Sequence, residues 1–324
     1  MTATLPPDAP PAAAQALLED GSLAIVADPG LRELAEPWMP RLDRPLVSAA
    51  SAAALIRVEA GEPEVARPGG EPNMEMWGVG GWVLDGEVVI AGAEGRIGGR
   101  VELAAGRATL HIDARGEAPA IVEVSSALTI AAALLLGRLG RPLVHGAAVV
   151  ARGGGAWLLA GGSFSGKTTT CVNLIRAGWD WLSDDHVVLQ HAPGGALRAE
   201  GWPRRFNLDH GYAAGSSAGV RSRVDPEGFG PGRWRRTAPL AGLIFPRVEA
   251  DLPTAVEPLH PAAALAQLLR HTPWLLADAG AAGPLLGLLQ AAARLPAFDL
   301  RLGRDSYCNV KTLQMALSPV FGVS

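Results

Sequence analysis

The sequence of 324 residues uses arginine for nearly all of its 28 basic positions; the two lysines are Lys167 and Lys311. Lys167 lies in "GGSFSGKTTT", where Gly161-x-x-x-x-Gly166-Lys167-Thr168 satisfies the pattern G-x-x-x-x-G-K-[ST]. Such a loop suits a triphosphate. Glycine-permitted dihedrals let several backbone N–H groups point into one concavity. A helix that starts at the loop adds the positive end of its dipole. A compact ammonium fits between β- and γ-phosphates where a planar guanidinium does not. The candidate phosphate-binding residues are therefore Gly161, Gly162, Ser163, Phe164, Ser165 and Gly166, followed by Lys167, Thr168 and Thr169, with the Thr168 hydroxyl as a ligand for Mg²⁺.

The pattern carries meaning only if a strand enters the loop and a helix leaves it. "AWLLA", Ala156 to Ala160, is an apolar strand, and "TTTCVNLIRAG" reads as a helix with Val172, Leu174 and Ile175 on its buried face and Gly178 at its end. The strand "WDWL" follows and ends at Asp184-Asp185. A right-handed crossover sets that strand beside the loop strand. One carboxylate could then hold Mg²⁺, and the other could take the proton from an attacking hydroxyl; taken alone, Ser183-Asp184-Asp185 is equally a solvated turn. His145 precedes the hairpin into the loop strand, and a lone histidine there is most simply structural. Arg204, Arg205, Arg233, Arg235 and Arg236 crowd two later loops, where they can neutralise transferring charge or stay solvated. Cys171 reads as helix packing.

Taken together, "HGAAVVARGGGAWLLAGGSFSGKTTTCVNLIRAGWDWLSDDHVVL" resembles the catalytic domain of the HPr kinase/phosphorylase-like family: a His-Gly strand, a hairpin, a phosphate loop, a short helix and an Asp-Asp pair. The resemblance spans about 45 residues and does not reach residues 1 to about 120. It implies an α/β P-loop kinase core related to phosphoenolpyruvate carboxykinase, an ATP- and Mg²⁺-dependent transfer to serine, and a possible homo-oligomer. It also implies roles. Lys167 contacts phosphates and Thr168 binds Mg²⁺. Asp185 is the catalytic base, with Asp184 assisting the metal or orienting the base, and His145 lies near the phosphates. Phe164-Ser165 depart from the family's usual Gly-x. "AEGWPRRFNL" stands where a second signature is expected, which leaves Glu200 as the candidate for a second metal ligand. The acceptor is then a serine of a peptide or protein, such as a ribosomally made precursor, or a small hydroxyl compound such as free serine. An NTPase switch and a nucleotide-binding scaffold are the competing classes.

The rest of the chain must position this segment. Hydrophobic residues are 48% and charged residues 19%, the balance of a folded globular protein. A net charge of −4 gives no general attraction to nucleic acid or anionic membrane. Two cysteines make no disulfide scaffold, the N-terminus has no basic secretory signal, and a cytoplasmic protein is expected. The apolar run Leu128–Leu136 is too short for a membrane span and reads as a buried helix in "SSALTIAAALLLGRLG", capped by serine. Residues 1–20 read as a flexible tail, 21–124 as a mainly antiparallel β region, and 125–324 as the kinase domain. Asp85-Gly86 and Gly106 mark hairpins. Residues 191–237 read as loops. "LAGLIFPRV" and "AFDLRLG" read as strands, with two apolar helices between them.

Overall fold

The computed structural model describes residues 13–35, 38, 46–115, 118–201, 204–209, 221–307 and 309–321. Its contacts divide the chain into two compact units, Met1–Leu139 and Gly140–Ser324.

The first unit is one sheet covered by one helix. Its strands are β1 (Ala13–Ala16), β2 (Leu23–Ala27), β3 (Leu46–Ser48), β4 (Ala54–Ala60), β5 (Met74–Met76), β6 (Val79–Leu84), β7 (Glu87–Gly92), β8 (Ile97–Glu102) and β9 (Arg107–Ile112). They run in the order β3-β1-β2-β4-β9-β8-β7-β6-β5, antiparallel except for the pairs β2–β4 and β4–β9. The β6–β7 turn carries Asp85 and Gly86 at φ 42° and 91°, the two positive values its two-residue hairpin demands. Helix α1 (Ile121–Arg138) packs on β4 and β6–β9, so the division falls after it, not before Ser125 as the composition implies. A helix apolar all round carries no stripe to say which sheet it covers. Nor is it capped by serine. Glu123 reaches back to accept from the Ala120 N–H at 3.2 Å, while Ser126 and Thr129 lie inside the helix and donate to the Val122 and Ser125 carbonyls, each at 2.7 Å. By length and composition α1 could cross a membrane, but 72% of it is buried in the unit. Part of the expected tail is folded: Ala13–Ala16 pairs in the sheet and Leu17 and Leu18 are fully buried, while residues 1–12 lie outside the described residues.

The second unit is a mixed α/β layer structure. Its elements are β10 (Leu143–Val150), β11 (Ala156–Ala160), α2 (Lys167–Arg176), β12 (Asp180–Ser183), β13 (His186–His191), β14 (Leu197–Glu200), β15 (Phe206–Asp209), β16 (Arg221–Val224), β17 (Thr237–Val248), β18 (Ala255–Pro258), α3 (Pro261–Arg270), α4 (Ala279–Ala293), β19 (Ala297–Leu302), α5 (Arg304–Tyr307) and α6 (Val310–Phe321). Strands β14 to β16 lie in the stretch expected to be loops, with α5 and α6 added at the end. β11, β17 and β19 are parallel neighbours. Alternation along β11 shows why two cores form. Ala156, Leu158 and Ala160 face the cluster that contains Leu268 of α3 and Leu289 of α4. Trp157 and Leu159 face the one that contains Leu174 of α2 and Leu317 of α6.

Two strands change partners along their length. β10 pairs β13 through Leu143–His145, then β11 through Gly146–Val150. β17 pairs β14 through Thr237–Pro239, then β11 and β19. The sequence places β12 beside β11; the structure places β10 between them. The hairpin partner already fills that edge of β11. Because β10 is antiparallel to both, β11 and β12 still end at the same side, which is where the loop and the Asp pair meet.

Candidate active site

Each edge of this site is fixed by backbone geometry. The turn from β11 to α2 ends on Gly166 at φ 96°, a left-handed value that favours glycine, and a Cβ there would collide with Leu302. A Cβ on Gly161 would collide with Ser165. Phe164 also adopts a positive φ, 64°, and the residue is 69% exposed. The departure from glycine noted in the sequence thus falls on a residue whose backbone a glycine would occupy with less strain. Lys167 is buried and folds back over the loop, donating to the carbonyls of Gly161 at 2.7 Å and Gly162 at 2.9 Å.

The Lys167 ammonium is also 3.4 Å from Nε2 of His145. His145 stands at the point where β10 leaves β13 for β11. Its N–H donates to the His271 carbonyl, and the next N–H, of Gly146, donates to the Asp185 carbonyl. That link draws the Asp turn against the strand switch. Nδ1 of His145 then faces Asp185 Oδ1 at 3.3 Å, and His186 Nδ1 approaches Asp185 Oδ2 at 3.2 Å. Arg204 closes the cluster, with Nη1 at 2.9 Å from Asp185 Oδ2 and Nε at 3.5 Å from Asp184 Oδ1. Of the five loop arginines it alone reaches the pair among the described residues. Arg235 and the Arg233 backbone bond Asp180, Arg205 approaches Asp225, and Arg236 lies over Trp234.

The two carboxylates sit in different environments. Asp184 is only 3% exposed, and burial pushes its pKa up to about 7, opposed by Arg204 and reinforced by the charge of Asp185. Asp185 keeps 28% of its side chain exposed. Burial opposes its ionisation, but His186, Arg204, His145 and Lys167 outweigh that and hold its carboxyl well below the usual carboxylate range. Burial lowers His145, His186 (to about 3) and His271 (to about 4), which favours the neutral form of each ring. The Cys171 thiol is pushed well up by burial, which fits packing and not chemistry.

A cavity of about 190 Å³ adjoins the loop, lined by Phe164 to Thr170, by Asn173 and Asn207, by Val248 and Leu302 at the ends of β17 and β19, and by Gly303, Ser306 and Tyr307. It lies outside the carboxyl ends of parallel strands, the usual ligand crevice of such sheets. Asn207 joins it to the Asp pair, since its backbone N–H bonds Asp184. Thr168, half-buried on the cavity wall, carries a hydroxyl, the kind of hard oxygen that a Mg²⁺ ion would take as a ligand. His145, Asp185 and His186 bring ligand atoms within 4.8 Å of one another, but the Arg204 guanidinium among them opposes a cation there. Glu200 is not part of that group. It is buried on β14, accepting from Gln190 Nε2 at 2.9 Å. His186, Arg204 and His271 are the site residues the sequence did not single out individually; the one available signal was the adjacency of His186 to the Asp pair.

No protein-family model matches the chain, and no curated protein matches it in sequence. Among solved structures it aligns with the Hpr(Ser) kinase/phosphatase from Coxiella burnetii at 11% identity and a TM-score of 0.31, over 56% of this chain and 99% of that one.

Proposed function

We propose that this chain is an ATP- and Mg²⁺-dependent phosphotransferase that moves the γ-phosphoryl group to a hydroxyl, a serine of a peptide or protein. One observation carries the reading. A lysine on a glycine-rich strand-to-helix turn and an ionised, partly exposed carboxylate flank a single imidazole, Nζ lying 3.4 Å from its Nε2 and Oδ1 3.3 Å from its Nδ1. The loop amides and Lys167 suit the triphosphate, and Asp185 suits the acceptor hydroxyl. Mg²⁺ supplies charge neutralisation between phosphate oxygens, with Thr168 as its protein ligand. The cavity beside the loop supports a nucleoside triphosphate donor over pyrophosphate, because Val248, Leu302 and Tyr307 give it walls that phosphate alone would not use. Serine as acceptor rests on the resemblance to the HPr-kinase-like family. A regulatory nucleotide-binding protein is the second reading, and Arg204 favours it, since its hydrogen bond occupies the Asp185 oxygen an acceptor would approach.

The test is transfer of label from γ-labelled ATP with Mg²⁺ to free serine, to HPr and to peptides encoded by neighbouring genes, with Asp185→Asn alongside. Label on one acceptor, absent with Asp185→Asn, supports the kinase. ATP bound but left intact with every acceptor supports the regulatory protein.

A further inference from the structure

We infer that Asn173 selects the base of the donor, taking adenine over a 6-oxopurine, an inference that rests on the proposed transfer from a nucleoside triphosphate. The cavity beside the loop begins at Gly166, where a Cβ would strike Leu302 and come within 3.4 Å of Val248. It continues along one face of α2, where Thr170 and Asn173 stand three residues apart. Asn173 lies about 9 Å of helix rise beyond Lys167. Phosphates held on the loop would carry their nucleoside into this space, where Val248 and Leu302 offer apolar surface to the faces of a ring.

The amide of Asn173 is fixed. The residue is 2% exposed, and its Nδ2 donates to the carbonyls of Tyr307 at 3.2 Å and Ser306 at 3.4 Å, at the end of α5. Both of its N–H donors are spent there, and turning the amide over would set its oxygen against two other oxygens. What is left for a ligand is Oδ1, which has no hydrogen-bond partner among the described residues. A buried acceptor left unmatched is unfavourable, and a ligand donor relieves it. Thr170 adds a hydroxyl, 1% exposed and also without a partner. A hydroxyl rotates to donate or to accept, so it tolerates either kind of ring nitrogen. Asn207, also on the wall, is exposed, and its amide can turn to present either end. Asn173 is the polar group committed to one role, that of acceptor.

Adenine meets this pattern. Its 6-amino group gives Oδ1 a donor, and the neighbouring N1 accepts from the Thr170 hydroxyl. Hypoxanthine and guanine carry an oxygen at C6, which sets two acceptors against each other with no proton between them. The site therefore takes ATP and disfavours ITP and GTP.

The test is binding of ATP, ITP and the triphosphate of purine riboside, which has only hydrogen at C6, to the full-length protein with Mg²⁺ by calorimetry. Affinity should fall in the order ATP, purine riboside triphosphate, ITP, with ITP about 10-fold or more weaker than ATP. Asn173→Ala should bring the ATP and ITP affinities together; the wild-type series decides the matter by itself if that variant does not fold. Equal affinity for ATP and ITP in the wild-type protein, or an unchanged ratio in Asn173→Ala, overturns the role of Asn173 and leaves transfer from a nucleotide standing, with the amide serving only to hold α5. A folded wild-type protein that binds none of the three overturns the nucleotide reading as well.

Discussion

The two units solve the problem of buried polar groups in opposite ways. In the first, the buried polar side chains among the described residues are Ser126 and Thr129, and each hydroxyl bonds a carbonyl one helical turn back. In the second, Lys167, Asp184, His186, Glu200 and Asp278 are all buried, with Asp185 and Arg204 packed beside them. Removing a charge from water costs several kcal/mol unless partners replace the lost solvation. Lys167, Asp184 and His186 meet that cost together, where a glycine-rich loop, a strand switch and a sheet end come together, whereas Glu200 bonds Gln190 and Asp278 caps α4. The first unit reads as a core, the second as a site.

The contrast can be broken most sharply at Lys167. Lys167→Ala should lower phosphoryl transfer by about 10²–10³-fold or more with an unchanged circular dichroism spectrum. Unaltered transfer would remove the loop from the chemistry. Arg204→Ala comes next, because it leaves Asp184 and Asp185 without their guanidinium. We expect a loss of about 3–5 kcal/mol in denaturant unfolding, against about 0.2–1 kcal/mol for Arg100→Ala in the exposed Arg100–Glu87 pair of the first unit. Equal losses would erase the distinction between the units. Leu128→Ala, in the fully buried face of α1, should cost about 2–5 kcal/mol through the cavity it leaves, with transfer per folded molecule unchanged.

A smaller effect concerns pH. Burial places the folded-state pKa of His271 at about 4, below that of a free imidazole. Its contribution to stability is therefore complete above about pH 6.5 and is lost as pH falls toward 4, because the unfolded chain binds the proton first. Asp184, raised to about 7, works in the opposite direction and blunts the overall profile. The useful reading is a difference: the Tm of the wild-type protein should fall more steeply between pH 7 and pH 4 than that of His271→Gln. Parallel profiles would show that His271 is not held neutral by the fold.

What could be read from the sequence follows the same division. Local rules gave the hairpin at Asp85-Gly86, the strand, loop and helix around Lys167, and the apolar helix later found as α1, because each rests on neighbours in the chain. Long-range assignments were lost. The hairpin sets β10 beside β11 from local sequence, but nothing local says that β12 pairs with the far edge of β10. An all-apolar helix such as α1 does not declare which sheet it will cover. The candidate site was half legible. Lys167, His145 and the Asp pair lie within one 45-residue stretch, whereas Arg204 and His271 arrive from β-hairpin and helix ends far along the chain. Glu200 illustrates the converse: its position suggested a metal ligand, and the strand it lies on turns it to Gln190.

The most direct test of the central claim is transfer of the γ-phosphoryl group itself. Wild-type protein, Lys167→Ala and Asp185→Asn would be incubated with Mg²⁺, γ-labelled ATP and the panel of hydroxyl acceptors, with bound ATP measured in parallel. The account predicts label on an acceptor with wild-type protein, strongly reduced in both variants while Asp185→Asn still binds ATP. Transfer that persists at the wild-type rate in either variant would contradict it.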